Sequence, residues 1–178
     1  MVDIEIPVGM ADADVALLLA LLNDGTKEWR KHLGDVSPEA LVWQSAPRGH
    51  SIGTVLLHMA DVEGNWLYTA AHGEARSADE LKMLLSAETD QYAGDWPPPP
   101  AEPLAWFYAR QDDVRRRTLE SFASVADIRA TRPFRDTRFT LRWLLSHVIA
   151  HESYHGGQAV LLHELFKTRG DREHARVG

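Results

Sequence analysis

Apolar residues recur every three or four positions along most of the chain, the pattern typical of amphipathic helices packed on a core. The pattern predicts long helices at about 11–33, 51–72, 103–124 and 140–167, and a shorter helix at about 78–91. Asp12 or Asp14 can cap the first helix, and Ser51 the second. Strand-like alternation is nearly absent, so we expect an all-α fold: a four-helix bundle with a long crossover connection and a short extra helix.

The segments between these helices are rich in residues that end helices. Residues 35–50 contain Ser, Pro and Gly and predict a loop, with Trp43 buried or half-buried in it. Residues 95–103 are proline-rich and cannot form a helix or a central strand, because proline lacks the backbone N–H. They predict a rigid surface connection between two halves of one domain, 1–178, with its core at about 10–168. Residues 131–140 are expected to be irregular or turn-rich.

The composition suits a soluble domain with a substantial core, since 44% of the 178 residues are hydrophobic and 25% are charged. The absence of cysteine excludes disulfides, thiolate metal sites and a cysteine nucleophile. A net charge of −7 argues against nucleic acid or an anionic membrane as a partner. The longest apolar run, 15–22, is too short to span a bilayer and follows acidic residues, so we expect a cytoplasmic protein.

Three histidines in the last helix provide the candidate chemistry. His147, His151 and His155 follow one another at intervals of four residues, which places them on one face of a helix. That face overlaps the apolar, core-facing stripe. A buried imidazole without a partner costs about 1–3 kcal/mol, and one metal ion could satisfy two rings together. Hydrogen-bonded core histidines are the alternative explanation.

A further ligand must come from another element, and His58 is the best candidate. It lies in the middle of the second helix, at the border of its buried face. Three neutral imidazoles and an open coordination position make a catalytic-type site for a divalent metal. His58 and two histidines of the last helix are therefore candidate metal ligands, and His147 is expected to be packed against the site. The remaining histidines (His32, His50, His72, His163 and His174) are expected to be ordinary surface or loop residues.

Residues 151–155 also match the H-E-x-x-H pattern of zinc metalloproteases, in which the glutamate is the general base. The context opposes this interpretation. Only residues 156–178 follow the pattern, and the third acidic candidate, Glu164, lies in the same helix, whereas those proteases take their third ligand from a separate element.

A second interpretation covers more of the chain. The segment His147-x3-His151-x3-His155-Gly-Gly-Gln158, with the Phe139–Ser146 run before it, resembles the terminal motif of the DinB-like (YfiT-like) superfamily of small metal-binding four-helix bundles. The serine-led segment 51–67, which holds His58, resembles the other signature of that superfamily. In order and spacing the resemblance extends over about residues 10–168.

The resemblance implies a metal site made by His58, His151 and His155, occupied by nickel or zinc, in a homodimer. Several members of the family are transferases or isomerases that use a low-molecular-weight thiol such as bacillithiol or mycothiol, and many are described as metal-dependent hydrolases. It therefore implies a hydrolase or a thiol S-transferase with a small-molecule substrate. It provides no support for DNA binding.

Other residues near the histidines receive roles from their chemistry. A metal held by neutral imidazoles can lower the pKa of a bound water or thiol, and Glu152 could then be a catalytic general base. Gln158 could hydrogen-bond a ligand ring. The glycines 156 and 157 could allow a close backbone approach. The run Arg115–Arg117 and the acidic residues Asp61 and Glu63 are expected to be solvated.

Three hypotheses remain open after these considerations. The first is a metal-dependent enzyme that uses the three histidines. The second is a stress-response protein that binds a metal or ligand without turnover. The third is a metal-free bundle whose histidines are packed in the core.

Overall fold

The computed structural model describes residues 3–47, 49–83, 96 and 98–169. The helices of this part are α1 (Ala13–Leu33), α2 (Pro38–Val42), α3 (Ile52–Gly64), α4 (Ala78–Met83), α5 (Leu104–Phe122) and α6 (Leu141–Lys167). A π-helical segment, Asn65–Ala70, continues α3. Strands β1 (Thr131–Phe134) and β2 (Thr137–Thr140) form an antiparallel hairpin. The predicted all-α bundle of four long helices is confirmed.

Side-chain caps explain where the long helices begin. The Asp12 carboxylate accepts hydrogen bonds from the backbone N–H groups of Asp14 and Val15, so Asp12 is the N-cap of α1. Ser51 and Thr54 form a reciprocal capping box at the start of α3. These caps agree with the helix starts predicted from the sequence.

The core lies where the four long helices meet. Helix α6 packs against both α1 and α3, and α3 also packs against α5. Leucines, valines and aromatic rings fill the space between them, including the fully buried Leu19, Leu56, Phe107 and Leu144. The buried Tyr68 hydroxyl donates a hydrogen bond to the carbonyl of Val114 and so links the π-helical segment to α5. In the described part of the chain no helix is both long enough and apolar enough to cross a membrane.

Two of the predicted connections were wrong. The expected loop 35–50 contains the short helix α2, which Ser37 caps and Pro38 begins. Residues 131–140 form a two-stranded hairpin instead of an irregular link. In its two-residue turn Arg135 has a positive φ of 53°. Such turns usually have glycine, asparagine or aspartate at these positions, so the arginine gave no signal for a hairpin. Trp43 is half-buried, as expected.

The proline-rich segment is only partly a surface connection. Its described residues contain no helix or strand, as predicted, but Trp96 is 3% exposed and Pro99 is buried. Pro99 lies against Gly53 at the start of α3, where a β-carbon would come within 2.8 Å of it. The end of the predicted helix 78–91 lies outside the described residues, beyond Met83.

Candidate metal centre

The predicted histidines His58, His151 and His155 converge between α3 and α6. One ring nitrogen from each lies within 4.8 Å of the others. The Nε2 atoms of His58 and His151 are 3.1 Å apart, although the two residues are separated by 93 positions in the chain. The three ring centroids are 4.3–4.9 Å from one another. The spacing along α6 and the packing of α6 on α3 together produce this arrangement.

Burial keeps these imidazoles neutral. His155 is 1% and His58 8% exposed, and His151 is half-buried. Loss of solvation lowers the pKa of His58 to about 3 and that of His151 to about 2, and the neighbouring histidines add to both shifts. Burial also lowers the pKa of His155. A neutral imidazole has a nitrogen lone pair available for a metal at any pH near 7.

Gln158 orients the ring of His155. Its Oε1 lies 2.7 Å from Nδ1 of His155 and accepts the proton that this nitrogen carries. The tautomer protonated at Nδ1 leaves Nε2 with a free lone pair, which is the form that ligates metals through Nε2. The predicted hydrogen bond between Gln158 and one of the candidate histidines is thus confirmed.

The donor set fits a borderline divalent cation. Imidazole suits zinc and nickel, among other transition metals. Two nitrogens bound to one tetrahedral zinc ion are about 3.4 Å apart, since each Zn–N bond is about 2.0–2.1 Å. The separation of 3.1 Å between His58 and His151 is close to this value. The cluster could therefore hold a metal ion.

Three stacked rings, those of Phe139, Trp143 and His147, form a row that extends toward the cluster and that we call the ladder. Phe139 stacks on Trp143 with a centroid distance of 4.6 Å, and Trp143 stacks on His147 at 4.8 Å. His147 lies 6.3 Å from His151. Trp66, in the π-helical segment, makes T-shaped contacts with all three rings of the ladder. His147 is thus packed against the site, as expected.

Two residues beside the cluster were not identified from the sequence. The indole of Trp96 lies 4.9 Å from the ring of His58 and 4.0 Å from that of His50. His50, expected to be a surface or loop residue, lies in a loop but is half-buried, and burial lowers its pKa. Both residues are far from His151 in the chain, and neither belongs to a motif, so no sequence signal placed them here.

Glu152 follows His151 directly, but its carboxylate contacts other elements. Oε2 is 2.5 Å from Nη2 of Arg115, and Oε1 accepts hydrogen bonds from the indole N–H of Trp29 at 3.0 Å and from the hydroxyl of Thr26. These partners belong to α1 and α5. The catalytic role of Glu152 stays a prediction, but the carboxylate has the partners of a structural group.

Arg115 connects Glu152 to a second buried carboxylate. Its guanidinium makes a bidentate contact with Glu63, with both N–O distances at 2.9 Å, and its side chain is 13% exposed. The expectation that Arg115 and Glu63 are solvated was therefore wrong. Arg116, the next residue, is exposed and pairs with Glu120, as expected. Asp61 is also mostly buried, paired with Arg76.

This charged group forms part of the lining of a cavity of about 500 Å³ between α1 and α5. Glu63, Arg115 and Glu152 line it, whereas His58, His151 and His155 do not.

His163, expected to be a surface or loop residue, is another correction: it is 6% exposed, and its Nδ1 contacts the carbonyl of Leu33. His32 is exposed, as expected, and His174 lies outside the described residues.

Comparisons with known proteins agree with the arrangement of these histidines. The family model described as the DinB superfamily matches residues 21–159, a span that includes His58, His151 and His155. No curated protein matches the chain at a significant level.

Proposed function

The chain belongs to the DinB superfamily, and on that premise we propose that it is a metal-dependent enzyme with a three-histidine site. The ligands are His58 from α3 and His151 and His155 from α6. The ion is nickel or zinc, and the reaction is either a hydrolysis or a transfer of a low-molecular-weight thiol to a small-molecule substrate.

One observation supports the metal site above the others: three imidazoles, two of them buried and one half-buried, present nitrogens within 4.8 Å of one another. Here two Nε2 atoms face each other, and the third ring has its Nδ1 proton accepted by Gln158. An ion between the rings would satisfy all three nitrogens at once.

When bound, such an ion would lower the pKa of a water or thiol placed next to it. The chain has no cysteine, so a thiol would have to come from a cosubstrate. The ladder of Phe139, Trp143 and His147, in which Trp143 is exposed, offers a wall of aromatic rings along one approach to the cluster. We also propose a homodimer, on the basis of family membership, and a cytoplasmic location, on the basis of the short apolar run at 15–22 and the acidic residues before it.

Metal analysis of protein purified without an affinity tag tests the site. We expect about one nickel or zinc ion per chain, and a rise in melting temperature when metal is restored after chelation. H58A, H151A and H155A should each lose the metal. H32A, a change at an exposed histidine, is the control and should keep it. Wild-type protein without stoichiometric metal would contradict the proposal and favour the packed-core hypothesis.

A turnover screen tests the reaction. Small thiols (bacillithiol, mycothiol and glutathione) are combined with electrophilic acceptors, in parallel with ester and amide substrates. We expect turnover that disappears on chelation and returns with metal. Activity that persists without metal would contradict a metal-dependent mechanism. Tight metal binding without any turnover would favour the non-catalytic alternative.

A further inference from the structure

The ring of Trp96 lies beside the histidine cluster and carries a buried N–H donor. Trp96 is 3% exposed, and its Nε1 has no hydrogen-bond partner among the residues that the structure describes. A buried donor without a partner costs about 1–3 kcal/mol, so native proteins rarely retain one unless a water, ion or ligand completes it.

The position of this donor is determined by close packing. Pro99 fits against Gly53, where any side chain would meet it at 2.8 Å. This contact holds the proline-rich segment on the first turn of α3, five residues before His58. Trp96 comes three residues before Pro99 in the chain. Its ring centroid lies 4.9 Å from that of His58 and 4.0 Å from that of His50. The indole is thus a wall of the candidate site, supplied by the crossover segment.

The charge of the site indicates which acceptor fits. The three cluster imidazoles are neutral, so a divalent ion among them would keep its full positive charge. A ligand with two anionic oxygens can place one at the ion and direct the other to a neighbouring N–H donor. A hydrogen bond to a charged group is stronger than one between neutral groups.

We propose that Trp96 is a substrate-binding residue whose Nε1–H donates a hydrogen bond to a carboxylate oxygen of the ligand bound at the His58, His151 and His155 cluster. This inference rests on the proposed metal site. It adds a specificity for small carboxylates, and it assigns a binding role to a segment that the sequence marks only as a connection.

Acetate binding to the Co²⁺-loaded protein tests the inference without an assay of activity. Visible absorption of Co²⁺ reports both metal uptake and the entry of acetate. W96F keeps an aromatic ring but removes the N–H. We expect W96F to bind acetate about tenfold more weakly, the effect of one lost charge-assisted hydrogen bond, with Co²⁺ affinity unchanged within about twofold.

W106F is the matched control, because Trp106 is half-buried in α5 and its described ring contacts are with Phe107 and Arg110. It should bind acetate like the wild type. If W96F fails to fold, G53A replaces it, since the new methyl group displaces Pro99 and with it Trp96; the same weakening is expected.

The outcomes separate the two proposals. Wild-type acetate affinity in W96F, with Co²⁺ bound, overturns the role of Trp96 and leaves the metal site intact. An equal loss in W106F also overturns it. A wild-type protein that takes up no Co²⁺ overturns the metal site and the role of Trp96 together.

Discussion

Gly156 lies directly against the indole of Trp29, so closely that a β-carbon at position 156 would come within 2.6 Å of Trp29 Cγ. This contact joins α6 to α1 one residue after His155. The same indole donates its N–H to Glu152, so the close approach of the two helices also sets the position of a buried carboxylate. At Gly157, its neighbour, an added β-carbon would meet nothing within 4 Å.

The two glycines therefore make a matched pair. G156A forces Trp29 to move, and overpacking of this kind costs about 2 kcal/mol in the free energy of unfolding. G157A meets nothing, and alanine is a better helix former than glycine, so it should stabilise the protein by up to about 1 kcal/mol. Urea unfolding of both variants measures the difference. Equal stability of the two would contradict the packing described for Gly156.

Removal of Arg115 should be strongly destabilising. R115A leaves the carboxylates of Glu63 and Glu152 buried without their cation, which costs about 3–5 kcal/mol. R116A is the control, because Arg116 is exposed and its ion pair with Glu120 lies at the surface. It should change stability by less than about 0.5 kcal/mol. Similar melting temperatures for the two variants would show that the buried network contributes little.

Gln158 should tune the metal site without taking part in it directly. Q158L removes the acceptor that holds the Nδ1 proton of His155, and such changes lower metal affinity by about 10- to 100-fold. Q158E restores an acceptor and should recover most of the affinity. Competition with a chromogenic chelator measures both dissociation constants. Wild-type affinity in Q158L would show that the hydrogen bond does not orient the ligand.

The metal-free protein should lose stability in mild acid. In the unfolded chain a histidine binds a proton below pH of about 6.5, whereas in the folded protein burial lowers the pKa of His58 to about 3 and that of His151 to about 2. Between about pH 6.5 and 3 the unfolded state binds more protons, so stability falls as the pH falls. Above pH 6.5 these two groups have no effect.

Urea unfolding at pH 7.5, 6.5 and 5.5 in the presence of a chelator measures this loss. Each buried histidine contributes at most about 1.4 kcal/mol per pH unit below 6.5. H58F removes one of the two groups and should show a shallower dependence, while H32A, at an exposed position, should follow the wild type. If the free energy of unfolding of H58F depended on pH as steeply as that of the wild type, the imidazole of His58 would have to be protonated in the folded wild-type protein.

Local signals were sufficient to predict the helices and the convergence of His58, His151 and His155. Ser51 and Asp12 are caps that act within one helical turn, and the spacing of His151 and His155 is a property of the helix itself. His58 was singled out because it lies in mid-helix at the border of an apolar face, and the structure places its ring beside those of the pair. All these inferences rest on periodicity over a few residues.

The features that sequence reasoning missed depend on contacts between distant segments. Arg115 looks like the first member of a solvated basic run, and only the packing of α5 on α3 buries it beside Glu63. The contacts of the Glu152 carboxylate with Arg115 and Trp29 depend on how α5 and α1 pack on α6, and the local motif does not indicate them. The position of Trp96 depends on how Pro99 meets Gly53, which no local pattern encodes.

The separation of His58 and His151 along the chain has a thermodynamic consequence. An ion held by both would act as a reversible crosslink, and it would close a loop of 93 peptide bonds. Such a crosslink restricts the unfolded chain far more than the folded one, in the manner of a long-range disulfide. In a protein without cysteine, the supply of metal would then govern how long each molecule survives proteolysis, as well as what it can bind.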